Sequence, residues 1–204
     1  MSIVRETTRA IRMTLVLWLL TAIIYPLVMI VVGGVFPDRA NGSLVQNLQG
    51  QVVGSALIGQ VFTSERYFQG RPSTTNYSSF TAAERDPKNV AQITGVSGAS
   101  NLAPSNPDLL KQVQKRVAQL EEGGISPTAD LVYSSGSSLD PHITVEAAYA
   151  QLDRVADARG LSKEDIAGLI DKHTQGRFLG IFGEPGVNVL KLNYNLDVSQ
   201  APRQ

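Results

Sequence analysis

The sequence contains no cysteine. Disulfides and thiolate metal sites are therefore excluded, and stability must come from packing. Only two histidines occur, His142 and His173, too few for an imidazole metal centre without many carboxylates beside them. Neither sign of charge dominates, since Lys+Arg and Asp+Glu each number 18. Beyond Pro37 there are 15 basic against 17 acidic residues, a net charge of −2, which leaves no electrostatic footprint for nucleic acid. No G-x-S-x-G elbow is present, and no glycine-rich loop runs into Lys-Ser/Thr, so the motifs of an α/β-hydrolase serine and of a P-loop are both missing.

Charge is also absent from Met13 to Pro37. About 20 apolar residues at ~1.5 Å each cross a hydrocarbon core of ~30 Å, and this run is slightly longer. Fourteen Leu, Ile, Val and Phe residues lie between Thr14 and Phe36, which favours insertion by on the order of 5 kcal/mol. The run exceeds a signal-peptide core and ends in Gly33-Gly34-Val35-Phe36-Pro37-Asp38, with no small-x-small cleavage site, so an uncleaved anchor is expected. Its anchor residues are Thr14, Leu17, Trp18, Leu20, Ile24, Tyr25, Pro26, Val28, Ile30 and Val32. Arg5, Arg9 and Arg12 precede the run against Glu6 alone, so the N-terminus is expected in the cytoplasm and the rest outside. Pro26 removes a backbone donor and crowds the carbonyl of Ala22, predicting a kink.

The expected division is a cytoplasmic N-terminus at 1–12, a transmembrane helix at 13–36, a linker at 37–50 and one extracytoplasmic domain at 51–204. Roughly 165 residues suffice for one core. Gln51–Phe62 reads as a strand interrupted by Gly54 and Gly59. Thr63–Pro107 is a loop-rich belt whose Tyr67, Phe68, Tyr77 and Phe80 should pin it to a core. Asn106-Pro107 opens a helix closed by Gly123-Gly124. Ala129–Tyr133 reads as a strand, Val145–Arg159 as a helix stopped by Gly160, and Ser162 with Asp165 as a capping box for a third helix. Val187–Leu192 alternates in part and reads as a strand. Helices and short strands mix without a repeated β-α-β spacing, so the class is α+β.

Three groups of residues invite a chemical reading. Ser138-Leu139-Asp140-Pro141-His142 holds the parts of a hydrolase, with Ser137 or Ser138 as nucleophile; the plainer reading has Asp140 capping a turn and His142 in a loop. Ser97, Gly98, Ser100 and Asn101 form a small-residue loop that could expose donors to a phosphate. Arg71 and Arg177 lie where they could pair with Glu184 or Asp140, and His173 sits on the inner face of its helix.

Eight segments, in order, resemble the C-subunit family of the bacterial Kdp potassium-transporting ATPase. They are Ala40-Asn41-Gly42-Ser43-Leu44, Gly54-Ser55-Ala56-Leu57-Ile58-Gly59-Gln60, Tyr67-Phe68-x-Gly70-Arg71-Pro72-Ser73 and Ser105-Asn106-Pro107. The rest are Leu139-Asp140-Pro141-His142-Ile143, Arg154-Val155-Ala156-x-Ala158-Arg159, Gly183-Glu184-Pro185 and Val187-Asn188-Val189-Leu190. The resemblance implies an accessory subunit of the bacterial inner membrane, non-catalytic on its own. It implies as partners a channel-like potassium-translocating subunit, a P-type ATP-hydrolysing subunit and a small accessory subunit, besides membrane lipid. It further implies a catalytic-chaperone role that raises the hydrolysing subunit's ATP affinity, with ATP as a cofactor by family association only. Arg71, Asn106, Asp140, His142, His173, Arg177 and Glu184 are then candidates for partner contact or structural support.

Overall fold

A computed structural model describes residues 2–79 and 95–200. The chain forms two compact units, Met1–Ser43 and Leu44–Gln204. The first is one continuous helical run, Ile3–Val35, long and apolar enough to cross a membrane. It comprises α1 (Ile3–Trp18), a π-helical stretch (Leu19–Ile24) and α2 (Tyr25–Val35), followed by the short α3 (Pro37–Ala40). The helix thus begins ten residues before the uncharged run, with Arg9 paired to Glu6 at 2.9 Å. The irregularity expected at Pro26 is met by the wider turns just before it, where the Tyr25 N–H reaches back to the carbonyl of Leu20. Such turns absorb a proline's missing donor without ending the helix. All ten anchor residues are exposed along this run.

In the second unit β1 (Leu44–Gln46) pairs antiparallel with β2 (Val52–Ser55). Residues 44–46, inside the expected linker, are therefore ordered strand, and the strand expected over 51–62 is confined to its first third. Asn47 closes the turn, its carboxamide oxygen accepting from the Gln49 and Gln51 amides. The belt aromatics behave as expected where described: Phe68 and Tyr77 are buried, while Phe80 lies outside the described residues.

Helix α4 (Pro107–Glu122) starts at Asn106, whose side chain accepts from the Asp108 N–H. The strand expected at 129–133 is instead one helical turn, α5 (Ala129–Val132). That turn buries Leu131 and brings the Asp130 carboxylate to the Thr144 amide at 2.7 Å. Strand β3 (His142–Thr144) runs straight into α6 (Val145–Tyr149), capped by the Thr144 hydroxyl. The single helix expected over 145–159 is broken at Gln151, and α7 (Leu152–Arg159) follows, ending at Gly160 with φ 64°. The break occurs because the Gln151 side chain turns inward, donating to the Ala147 and Gln69 carbonyls.

Ser162 caps α8 (Lys163–His173), its hydroxyl accepting from the Asp165 N–H and donating to the Asp165 carboxylate. Strands β4 (Thr174–Gln175) and β5 (Gly186–Asn188) complete a three-stranded antiparallel sheet with β5 in the centre, order β3-β5-β4. The strand expected over 187–192 ends at Asn188, where α9 (Val189–Gln200) begins. Asn188 Oδ1 accepts from the Lys191 N–H, which is an N-cap, and Val189, Leu192 and Leu196 at helical spacing fill the core. Val187 and Ile143 pair across β3 and β5 and, with Ile166, Ile170 and Leu192, form its apolar centre. Each such side chain contributes ~1.5–3 kcal/mol by leaving water. The chain is thus mixed helix and sheet, with an apolar helix before it.

Candidate functional site

The loop 65–71 has no strand partner, yet its backbone groups are paired. Phe68 donates its N–H to Asn193 Oδ1 at 2.8 Å and accepts from Asn193 Nδ2 at 2.9 Å. Gln69 makes the same two-way pair with Gln151, at 2.8 and 3.1 Å. Arg154 donates to the Tyr67 carbonyl at 2.9 Å and also to that of Glu65, and Arg159 Nε donates to the Arg66 carbonyl at 2.6 Å. Four side chains from the α6–α7 break, α7 and α9 thus stand in for a neighbouring strand, as buried backbone groups require.

Arg159 has its guanidinium almost fully buried. It pairs with Asp197 at 2.8 Å, donates to Gln200 Oε1, and lies 4.8 Å from the centre of the Tyr67 ring. The Tyr67 hydroxyl donates to the second Asp197 oxygen at 3.0 Å. Burial, then that carboxylate, push the phenol above its ordinary range. Beside this cluster Leu48, Val53, Phe62, Tyr67, Tyr194 and Asp197 line a cleft of about 450 Å³.

At the other end of the loop Arg71 lies between two carboxylates, Nη1 3.4 Å from Asp140 Oδ2 and Nε 3.7 Å from Asp130 Oδ1. Asp140 Oδ1 accepts from the His142 N–H at 3.0 Å and is 3.7 Å from His142 Nδ1. The His142 imidazole above all, with Arg71 assisting, holds the Asp140 carboxyl below the usual carboxylate range against the opposing effect of burial. Tyr77, with φ 54°, donates its hydroxyl to the Arg71 carbonyl, and burial pushes it up to about 12. A Cβ on Gly59 would sit 2.5 Å from the Tyr77 ring and 2.7 Å from the Asp140 carbonyl oxygen, which is why glycine stands there. The segments around Gly59, Arg71 and Asp140, separate in the sequence, meet at this point.

The hydrolase parts are not assembled. Ser138 Oγ is buried and bonded to the Thr74 amide and hydroxyl at 2.9 and 2.8 Å, and Ser137 Oγ serves Leu139 and Ser135. Among the described residues neither hydroxyl bonds His142, which instead begins β3, with its Nε2 3.5 Å from Asn188 Nδ2. In the small-residue loop the Gly98 amide and the Ser97 hydroxyl both donate to the Ser137 carbonyl at 3.0 Å. Asn101 is exposed with φ 53°, and Ser100 is half-buried.

Asn106 is a helix cap. His173 has a buried Nε2 without a hydrogen-bond partner among the described residues, and burial, then Lys172 and Lys191, lower its pKa. Arg177 and Glu184 are exposed and make no ion pair among the described residues; Arg71 takes Asp140 and Asp130 instead.

Residues 7–198 match the family described as KdpC, the c chain of the K+-transporting ATPase. The chain belongs to the KdpC family. A potassium-transporting ATPase KdpC subunit of Microcystis aeruginosa is 60% identical over 210 residues, covering 97% of each chain. KdpC subunit 2 of Nostoc sp. is 57% identical over 205 residues, covering 100% of this chain and 99% of the other. That of Caldanaerobacter subterraneus is 43% identical, covering 94% of each. The family resemblance read from the eight segments therefore holds, and with the apolar N-terminal helix it makes this KdpC chain a membrane-associated subunit of a potassium-transporting ATPase.

The two polar clusters within the chain were only half legible. Arg71, Asp140 and His142 were singled out and do come together. Gln151 and Asn193 were not, and Arg154 and Arg159 stood only as positions in a family segment. Their signal is a polar residue on the inward face of an apolar helix, as Asn193 stands beside Leu192 and Leu196.

Proposed function

We propose that this KdpC chain is a non-catalytic accessory subunit of a high-affinity, ATP-driven potassium uptake complex. Its helix sits in the bacterial inner membrane with the N-terminus inside, and Leu44–Gln204 forms the extracytoplasmic part. It docks on a channel-like potassium-translocating subunit and supports assembly with the ATP-hydrolysing and small accessory subunits. The family match over nearly the whole chain carries this reading. The buried, internally bonded Ser138 agrees with a non-catalytic role.

By family association the chain also acts as a catalytic chaperone that raises the hydrolysing subunit's affinity for ATP. Direct nucleotide contact through Ser97–Asn101 would need the Gly98 amide to leave Ser137. The test is co-purification and growth on limiting potassium after deletion of residues 1–37. Loss of both is expected, and a complex that assembles and transports fully without them would refute the anchoring role. Photolabelling of the isolated subunit by an ATP analogue, competed by excess ATP, tests direct nucleotide binding, and absence of specific label would end it.

A further inference from the structure

Beside the Arg71 cluster the chain makes a left-handed turn. Asn76, Tyr77 and Ser78 all adopt positive φ, at 51°, 54° and 53°. None is glycine, so the turn is strained and persists only because its surroundings fix it. The Ser73 hydroxyl oxygen accepts from the Thr75 and Tyr77 amides at 3.3 and 2.8 Å, and the Tyr77 hydroxyl donates to the Arg71 carbonyl. Arg71, Ser73, Asn76 and Tyr77, together with Arg116 of α4, line a cleft of about 270 Å³.

The charges that line it are of one sign. Arg71 and Arg116 are there, and among the described residues no carboxylate is. Arg71 has its counter-charges in Asp140 and Asp130, neither of which lines the cleft. Arg116 has none among the described residues. Its Nε donates to the Leu131 carbonyl at 2.8 Å and its Nη2 to Gln69 Oε1 at 3.3 Å, both neutral acceptors. Burial lowers its pKa, and the group opposing that effect is the Tyr77 phenol, itself pushed up to about 12 and so uncharged at neutral pH. One positive charge is thus partly removed from water without a counter-ion. Donors are left over as well: Arg116 Nη1 and Arg71 Nε and Nη2 have no hydrogen-bond acceptor among the described residues. Guanidiniums so placed are completed by an anion.

We propose that this cleft receives the carboxylate of an aspartate or glutamate from another subunit of the ATPase, held by Arg116 and Arg71. The inference rests on the docking role proposed above and names the chemistry of one contact in it. Charge selects the occupant, because a single unmatched cation calls for a monoanion, and the planar guanidinium fork fits a carboxylate. Size agrees. The cleft falls below the ~300–1,000 Å³ of small-molecule sites and takes one side chain, and an arginine in a partly desolvated pocket is the type of anchor on which subunit interfaces rely.

The full-length chain in detergent is titrated onto the remaining subunits, purified as a complex without it, at low and at high sodium chloride. Wild-type affinity should fall with salt. Arg116→Gln should weaken association by about tenfold or more and flatten the salt dependence, whereas Arg116→Lys should weaken it less and keep the slope. Because Arg116 also holds the Leu131 carbonyl, Asn76→Asp is the second variant. Asn76 is exposed, Asp tolerates the same left-handed backbone, and a carboxylate built into the cleft should exclude the incoming one, with a comparable loss of affinity and an unchanged urea midpoint. In the Arg116→Lys complex a water-soluble carbodiimide should join the new amine to an acidic residue of another subunit, identified by mass spectrometry. Wild-type affinity and salt dependence in both Arg116→Gln and Asn76→Asp would overturn the proposal and leave the docking role standing. A wild-type chain that does not bind the other subunits would remove both. Coupling of the new amine only to Asp130 or Asp140 of its own chain would also overturn the proposal.

Discussion

Loops 65–71 and 177–183 both join elements by irregular backbone, both carry adjacent aromatic and glycine residues, and they end oppositely. Phe68 is fully buried, whereas Phe178 and Phe182 stand in solvent. Hydrophobicity does not separate them. What separates them is who satisfies the backbone: side chains of Asn193, Gln151, Arg154 and Arg159 meet the first loop, whereas among the described residues the second bonds only to itself. An irregular segment can enter a core only where polar side chains are already waiting inside it.

The largest effect that tests this contrast is truncation of the two phenylalanines. Phe68→Ala should cost about 3–5 kcal/mol, the transfer of the ring plus its cavity. Phe182→Ala should cost less than ~0.5 kcal/mol, as exposed substitutions do. Urea unfolding of the detergent-solubilised chain, followed by circular dichroism, measures both, and similar losses would remove the distinction. Next is Asn193→Ala, which leaves a buried N–H and C=O of Phe68 unpaired, at about 2 kcal/mol. A loss below ~0.5 kcal/mol would mean that water takes the amide's place. Gly59→Ala comes third, because the Tyr77 ring and the Asp140 carbonyl must both yield, at about 1–3 kcal/mol. Tyr77→Leu in that background should recover part of the loss if the ring is the obstacle.

The same contrast explains what could be read from the sequence. Local signals held: Asn106 and Ser162 cap their helices, Gly160 ends α7, and the uncharged run is helix. The caps and the glycine stop each rest on residues within one turn of each other, and the uncharged run on its own composition. The failures are at Ala129–Tyr133 and at 189–192, where a short apolar run fits strand or buried helix equally, and at Gln151, where a helix read as unbroken is interrupted; in each, distant partners decide. Asp130 is drawn to the Thr144 amide, Gln151 to a loop 82 residues earlier in the chain, and Asn188 to the Ala56 carbonyl, 132 residues earlier. Of the candidate site, Arg71, Asp140 and His142 were found because their residue types suggest chemistry, while Asn193 and Gln151 were missed because an amide in an apolar stripe suggests none.

The smallest effect concerns the Arg71 end of the inward loop, which is partly open to solvent. Asp140 has a folded-state pKa below its ordinary value, so its contribution is present above the unfolded carboxylate range. It is lost as pH falls through the depressed folded value. The wild type should therefore lose more stability than Asp140→Asn as pH falls from the ordinary carboxylate range down through the depressed folded value, with a difference below ~1 kcal/mol because the group is partly screened. The substitution keeps an acceptor for the His142 amide, so the comparison isolates charge from the turn. Equal acid sensitivity of the two proteins would mean that neither His142 nor Arg71 stabilises the Asp140 charge, and that Arg71 positions the loop only through its backbone and Tyr77. The inward loop would then be held almost entirely from the Asn193 side.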